Sequence, residues 1–376
     1  MTANGKRAVV FCNGVRQRMI DESGGLDALS PIFDVFIDVS AFAKPWEYEQ
    51  SYEDRVTPET TVSLRTPEEA HSYFAAERFD YVLVVGLEWS KARAELVASI
   101  GATARAWGIL FVRGDLRDLF RGRQYDDRWF NLPRRALRRK RAHLPKGIPP
   151  ATHYFSNETK GFEFPEVVPG VTHTVPVNHI DWHYLARAEP AEGPPALVFL
   201  DQAVTFTFAD APNNLHAERF FDAELQAAHL DLVNDYLRRL RDQTGLPVVV
   251  CLHPNWPSSA PSPYDATFTS VRKQTVNWLM NCRLAVTHTS MATGFCHLLN
   301  VPTVLLDLPR NLMPDEVYFD LRKKAKAERL PVHRWPAAHL PTERVPPANN
   351  ARIRNFLAPD AAGSSLREVL EVILHT

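Results

Sequence analysis

Two short polar groups, His253-Pro254-Asn255 and His288-Thr289-Ser290, are the side chains of this chain best suited to act together on a ligand. Each ends an apolar, β-branched run, Val248–Leu252 in the first case and Leu284–Thr287 in the second. Such runs predict buried parallel strands. In a doubly wound α/β sheet, ligands bind outside the carboxyl ends of the strands, so both groups fall where a ligand would be held. Histidine titrates near neutral pH and can hand a proton to a departing group. Met291–Leu299 reads as a helix, which puts Thr289 and Ser290 at its start, where N–H groups and the positive end of the helix dipole suit a phosphate. Asn255 offers a ring or phosphate contact. Taken singly, each piece has an ordinary explanation. A serine before a helix is usually an N-cap, His-Pro after a strand is usually a turn, and His288 serves equally well as a strut between strand and helix. Their occurrence in order, on neighbouring strand ends of one predicted sheet, carries more weight than either group alone.

A proton acceptor is the next requirement. The strand predicted over Ala196–Leu200 ends in Asp201-Gln202, which makes Asp201 the first candidate for a general base, although the pair would serve as readily as a turn. Glu88 and Asp115 follow predicted strands of the N-terminal half and are its counterparts by position. No metal site is expected. A DxD motif beside a strand is absent, and Asp126-Asp127 sits in a basic stretch as a surface turn. Walker A, G-x-G-x-x-G, H-E-x-x-H and G-x-S-x-G patterns do not occur, which disfavours NTPases, dehydrogenases, zinc proteases and lipases.

The elements that must position these residues alternate as strand and helix. In the N-terminal half, Arg7–Cys12, Phe33–Val39, Asp80–Val85 and Ile109–Val112 read as strands, with helices over Pro67–Arg78 and from Ser90 to about Trp107. Short strands over Thr152–Phe155 and Thr172–Val177 close this half, and the Pro/Ala/Glu-rich run Ala186–Pro195 reads as a linker. Further on, Phe221, Leu225, Ala228, Leu232, Tyr236 and Leu240 mark one face of a helix over residues 216–242, stopped by Gly245 and Pro247. Ser270–Leu279 reads as a helix and Val301–Leu306 as a strand. Arg310–Asn350 is polar and Pro-rich without a predicted element, and Ser365–Leu374 is a terminal helix. The expectation is an α/β chain of two Rossmann-like domains, 1–190 and 191–350, followed by a C-terminal helix within 351–376.

Length and composition fit that division. The 376 residues are 45% hydrophobic and 23% charged, with a net charge of -1, so nothing pulls the whole chain toward nucleic acid. No apolar run approaches the ~20 residues of a membrane span, and the apolar run near the N-terminus is too short for a signal peptide. The four cysteines, Cys12, Cys251, Cys282 and Cys296, lie in or beside apolar runs and read as reduced core residues of a cytoplasmic protein. The basic stretch Arg134–Lys146, with Arg134, Arg135, Arg138, Arg139, Lys140 and Arg141, reads either as a solvated face or as a contact for an anionic acceptor or the inner membrane surface. No recognition module accompanies it, which disfavours nucleic acid.

The order LVFLDQA (Leu197–Ala203), long helix, VVVCLHPN (Val248–Asn255), AVTHTSMATGFCHLLNVPTVLLD (Ala285–Asp307) resembles the C-terminal domains of bacterial surface-polysaccharide glycosyltransferases. The β-Kdo transferases of capsule and lipopolysaccharide synthesis are most similar, and the bacterial sialyltransferases more distantly so. The resemblance covers about residues 196–307. It implies a GT-B fold, two Rossmann-like domains facing across a cleft, and a CMP-sugar donor carrying Kdo or a sialic-acid-like ulosonate. The H-P motif (His253, Pro254) and the T-S motif (Thr289, Ser290) would hold that donor, with Gln202 on the sugar carboxylate or a neighbouring backbone group. It further implies a glycan or lipid-linked glycan acceptor, no metal or other cofactor, and a cytoplasmic protein that is peripheral at the inner membrane if the basic stretch touches lipid. When the sugar leaves, CMP gains charge on its phosphate. His253 would donate to that phosphate while Thr289, Ser290 and the N–H groups around Met291 cradle it. The sialyltransferase base is an acidic residue of the N-terminal domain. No clear copy of its motif occurs here, which leaves Asp201 as one candidate and Glu88 or Asp115 as its rivals. CDP-glycerol phosphotransferases carry similar motifs, so a glycerophosphotransferase is the alternative enzyme, and an assembly or binding subunit without turnover is the alternative outside catalysis.

Overall fold

A computed structural model describes residues 6–12, 32–43, 61–86, 91–110, 151–156, 173–178, 185–186, 188–202, 223–253, 256, 260–336, 355 and 366–375. Glu88, Asp115, Asp126, Asp127, Pro254, Asn255 and the basic stretch Arg134–Lys146 lie outside them. The described residues form two compact units. One holds the N-terminal sheet together with Asn355–Thr376, and the other is Leu185–Arg354.

The first unit runs β1 (Arg7–Phe11), β2 (Val35–Asp38), α1 (Ser40–Ala43), β3 (Thr61–Ser63), α2 (Pro67–Ala76), β4 (Tyr81–Val85), α3 (Lys91–Thr103), β5 (Ala106–Leu110), β6 (His153–Ser156) and β7 (His173–Pro176). Every neighbouring pair is parallel, in the order β3-β2-β1-β4-β5-β6-β7. A parallel sheet is covered on both faces, which is why a central strand such as β4, YVLVV, is apolar and buried throughout. Thr66 caps α2 by accepting the Glu69 N–H at 3.1 Å, and the Glu69 carboxylate reaches back to the Arg65 N–H at 2.7 Å. Trp107, predicted to end a helix, is instead buried in β5, because α3 stops at Thr103, whose hydroxyl bonds the Ser99 carbonyl at 2.8 Å.

The second unit runs β8 (Ala196–Leu200), α4 (Ala223–Thr244), β9 (Val248–Cys251), β10 (Thr269–Val271), α5 (Thr275–Met280), β11 (Cys282–Thr287), α6 (Thr293–Leu299), β12 (Thr303–Asp307), α7 (Asp315–Glu328) and β13 (Val332–Arg334). Its order is β10-β9-β8-β11-β12-β13, again all parallel. Both sheets start in the middle and wind outward in both directions, as Rossmann sheets do. Two doubly wound units in one chain are the two Rossmann-like domains expected of a GT-B fold.

Three departures from the predicted elements have identifiable causes. The helix predicted over Ser270–Leu279 is shorter: Thr269–Val271 adds an edge strand, Lys273 turns at φ 56, and only Thr275–Met280 is helical. In α4 the buried stripe is His229, Val233, Tyr236, Leu237 and Leu240 rather than the one through Ala228 and Leu232. His229 belongs inside because its ring N–H bonds the Leu312 carbonyl at 2.8 Å, and a hydrophobic pattern does not register a satisfied histidine. Helix α7 was not predicted because its inward face carries a buried Lys324–Glu328 ion pair beside Leu321. The helix therefore looks polar all round.

The terminal helix α8 (Leu366–His375) returns to the first unit. Leu366 and Leu370 are buried in the core beneath that sheet, and the Arg7 guanidinium donates to the Leu374 carbonyl at 3.2 Å. It is thus part of the first unit rather than a separate segment. None of the four cysteines is in a disulfide; Cys12, Cys251 and Cys296 are buried and Cys282 is half-buried. Burial pushes the Cys251 and Cys296 thiols up to about 12. Among the described residues no helix is long and apolar enough to cross a membrane.

Candidate functional site

Three adjacent strand tips build the site. In the second sheet β8 lies between β9 and β11, so the two motif-bearing strands are not neighbours of each other, as their sequence suggests, but flank β8. The order of the sheet reverses beside β8, and such a switch point is where doubly wound sheets hold ligands. Asp201-Gln202 therefore occupies the centre, with His253 on one side and Thr289-Ser290 on the other.

The two central residues reach in opposite directions. Asp201, 5% exposed, accepts the Tyr264 O–H at 2.8 Å on Oδ1 and the His253 backbone N–H at 3.1 Å on Oδ2. Gln202 donates from Nε2 to the Thr289 hydroxyl oxygen at 2.6 Å, and its Oε1 accepts the Thr289 backbone N–H. A general base must reach the hydroxyl it deprotonates. A buried carboxylate whose two oxygens each already accept a donor is fitted to fix the position of His253. Of the two roles anticipated for Gln202, the neighbouring backbone group is the one the geometry displays, since both ends of its amide are used on Thr289.

These bonds use both hydroxyl oxygens as acceptors. Thr289 Oγ1 receives the Gln202 N–H, and Ser290 Oγ receives the Ala292 N–H at 3.2 Å. A hydroxyl that accepts in this way still has its own hydrogen to donate. The helix predicted from Met291 begins only at Thr293 and is seven residues long. Its entry closes on itself: Thr293 N–H bonds Ser290 O at 3.4 Å, Gly294 N–H bonds Met291 O at 3.0 Å, and Phe295 N–H bonds Ala292 O at 3.0 Å. Thr289 N–H is held by Gln202, and Ser290 N–H faces Thr287 Oγ1 at 3.3 Å. The row of open helix-terminal N–H groups is therefore reduced to the Met291 N–H, which has no acceptor among the described residues. In its place stand two hydroxyl donors.

His288 lies wholly inside. It is 1% exposed, its ring N–H donates to the Leu306 carbonyl at 2.6 Å, and its centroid is 5.3 Å from that of His229. Burial first, and the neighbouring His229 second, push its pKa down to about 3. His229 is lowered as well, chiefly by burial. His288 is thus a neutral strut from the tip of β11 to β12, and with so little surface it does not serve as the donor contact anticipated for it. On the far side, the half-buried His253 opens a loop in which Trp256 N–H bonds the His253 carbonyl at 2.9 Å. Arg272 pins that loop by donating to Trp256 O at 2.7 Å and Ala260 O at 2.6 Å.

Tyr264, Arg272 and His229 are the supporting residues that sequence reasoning passes over. Two lie in or just after an aperiodic loop and one inside a helical stripe, and no local signal marks them. Among the described residues no group of three or more His, Cys, Asp or Glu side chains could hold a metal ion.

No family model matches the chain, and no curated protein matches it. Among solved structures it is similar to the spinosyn forosaminyltransferase SpnP, with 11% identity, 100% of each chain covered and a TM-score of 0.47. It is similar to the UDP-GlcNAc 2-epimerase from Methanocaldococcus jannaschii at 11% identity, 99% of this chain, 100% of that chain and a TM-score of 0.47. The glycosyltransferase SnogD from Streptomyces nogalater gives 12% identity, 99% and 95% coverage and a TM-score of 0.45. Likenesses this distant assign no activity.

Proposed function

We propose that the chain is a metal-independent glycosyltransferase of GT-B plan. Its donor is a CMP-sugar carrying Kdo or a sialic-acid-like ulosonate, and its acceptor is a bacterial surface glycan or its lipid-linked precursor. One observation carries this reading: at the switch point of the second sheet, two hydroxyls and one N–H keep hydrogens to donate, with His253 held across β8 from them. Cleavage of the sugar–phosphate bond leaves CMP as a phosphate monoester whose charge grows as the bond breaks. Thr289 O–H, Ser290 O–H and Met291 N–H would meet that charge with prearranged donors, a kind of stabilisation that commonly supplies several kcal/mol. His253 would add a proton or a hydrogen bond to the same phosphate, with Pro254 and Asn255 beside it in the donor contact. Asp201 and Gln202 act as positioning residues that fix the two flanking loops. With both Asp201 oxygens engaged, Glu88, with Asp115 as its alternative, is the candidate for the base that activates the acceptor hydroxyl.

Thermal stabilisation by a panel of ligands tests the donor. CMP-Kdo or CMP-sialic acid should stabilise the folded chain by about 2.7 kcal/mol at a hundredfold excess over Kd, and Thr289→Val with Ser290→Ala should abolish the effect. CDP-glycerol acting alone would move the assignment to a glycerophosphotransferase. Selective stabilisation by UDP- or TDP-sugars would overturn the CMP donor, and stabilisation that survives the double substitution would overturn the site.

A further inference from the structure

Helix α7 presents a surface that the strand-tip site does not use. Phe319, Arg322, Lys323 and Lys326 follow one another at three- and four-residue steps, so they share one face, and all four are exposed, Phe319 to 54%. The opposite face is closed by Leu321, Lys324 and Glu328, all buried. From Leu321 to Arg334 the ionic surface has one sign. Arg322, Lys323, Lys326, Arg329 and Arg334 are exposed. The single carboxylate in that span, Glu328, is fully buried, 2.5 Å from the Lys324 ammonium and 2.9 Å from the His297 ring.

Neighbouring segments extend the patch. Arg310 places its guanidinium 4.4 Å from the Tyr318 ring centre and 5.3 Å from that of Phe319, while Arg322 lies 5.2 Å from Tyr318. Arg322 and Arg334 each lean toward Asp307 at 3.3 Å, but that carboxylate is itself 4% exposed. Within α7 the remaining acidic residues lie toward its N-terminal end, Asp315 and Glu316 in the first turn and a half-buried Asp320. Cations in the last turn of a helix complement its dipole, which accounts for Lys326 and Arg329. That effect does not account for an exposed phenylalanine in mid-helix, or for Arg310 reaching it from the segment after β12.

We propose that this face docks the second unit on an anionic phospholipid surface, with Phe319 entering the headgroup boundary. A cluster of four to eight Lys and Arg beside an aromatic side chain on one helix face is the pattern such surfaces attract. Among the described residues the exposed charge is one-sided from Leu321 through β13, as a negatively charged partner requires. A nucleic acid would stack bases on open ring faces, whereas one face of Phe319 is already taken by Arg310. The docking surface is independent of the donor reading and would hold for any activity at the strand tips.

Vesicle co-sedimentation of the full chain tests it, using phosphatidylcholine alone and phosphatidylcholine mixed with phosphatidylglycerol, at low and high salt. The chain should bind only the mixed vesicles and release them as salt rises. Neutralising a cation near the surface should weaken partition roughly fivefold, so Arg322→Gln, Lys323→Gln and Lys326→Gln together should weaken it about a hundredfold. Arg334→Gln, on a different element, and Phe319→Ser should each weaken it separately. Circular dichroism melts and the ligand-stabilisation panel check that the variants stay folded and keep the site. No binding to mixed vesicles overturns the proposal. So does a triple variant that binds as tightly as the parent, which would move the contact elsewhere, to Arg134–Lys146 for instance. Binding of a single-stranded RNA in place of vesicles, lost in the triple variant, would make the patch a nucleic-acid surface and refute the lipid assignment.

Discussion

Asp201 separates the two readings of this site, because a base and a strut fail differently. In Asp201→Asn the amide oxygen can keep the His253 N–H, which now lies 3.1 Å from Oδ2, but the amide nitrogen must then face the Tyr264 hydroxyl, now 2.8 Å from Oδ1. Tyr264 can turn to accept from it, which leaves its own hydrogen without an acceptor at 8% exposure. Leaving one buried donor unsatisfied costs about 1–3 kcal/mol. Asp201→Ala strands both donors, so the same reasoning gives about 2–6 kcal/mol, enough to remove much of the stability of an ordinary domain. As a strut, Asp201 affects turnover only through the aim of His253, so Asp201→Asn should cost about tenfold in kcat/KM and leave the limbs of its pH profile in place. Removing a general base costs about 10²–10⁴-fold, and that is the loss expected of Glu88→Gln with donor binding intact. The measurements are urea unfolding of both Asp201 variants and donor turnover against pH for Asp201→Asn and Glu88→Gln. If Asp201→Asn folds with parental stability yet loses a thousandfold or more in rate, Asp201 is the base and the positioning argument is wrong.

Two further outcomes follow from the packing. A Cβ at Gly108 would sit 2.3 Å from the Tyr81 hydroxyl oxygen and 3.2 Å from the His153 carbonyl. Gly108→Ala should therefore destabilise the first unit by about 1–3 kcal/mol, as overpacking does, measured by thermal or urea unfolding; an unchanged midpoint would show that Tyr81 swings aside freely. His288, pushed down to about 3 in the folded chain against 6.5 for an ordinary histidine, binds its proton more readily when unfolded. Its contribution thus weakens stability as pH falls from about 6.5 toward 3, by about 1.4 kcal/mol between pH 7.5 and 5.5. Unfolding free energies across that range should lose about 1.4 kcal/mol of their pH dependence in His288→Gln, about half a proton on average, and a dependence that does not change would remove His288 from the buried neutral pair.

Buried parallel strands are the most legible part of this chain, because a strand covered on both faces is written as a continuous apolar run. YVLVV, ALVFL and VVVC announce themselves, and the polar residues that follow them mark the strand tips. What a tip residue does is less local. Asp201 and Gln202 look alike in sequence, two polar side chains after a strand, whether they face a ligand or a neighbouring loop. Their orientation follows from β8 lying between β9 and β11, and sheet order is settled by how crossovers wind back onto the sheet, not by residue spacing. With a loop on either side, each side chain finds backbone donors within reach, and the residues beyond the flanking strands inherit the chemistry. The same logic explains why His288 turned inward while Thr289 and Ser290 did not. The Leu306 carbonyl near the tip of β12 offers the imidazole a buried acceptor at 2.6 Å, whereas Gln202 and the Ala292 N–H each donate to a hydroxyl oxygen and leave its hydrogen to be donated elsewhere. The donors of the site are therefore defined by which lone pairs their own fold has already filled.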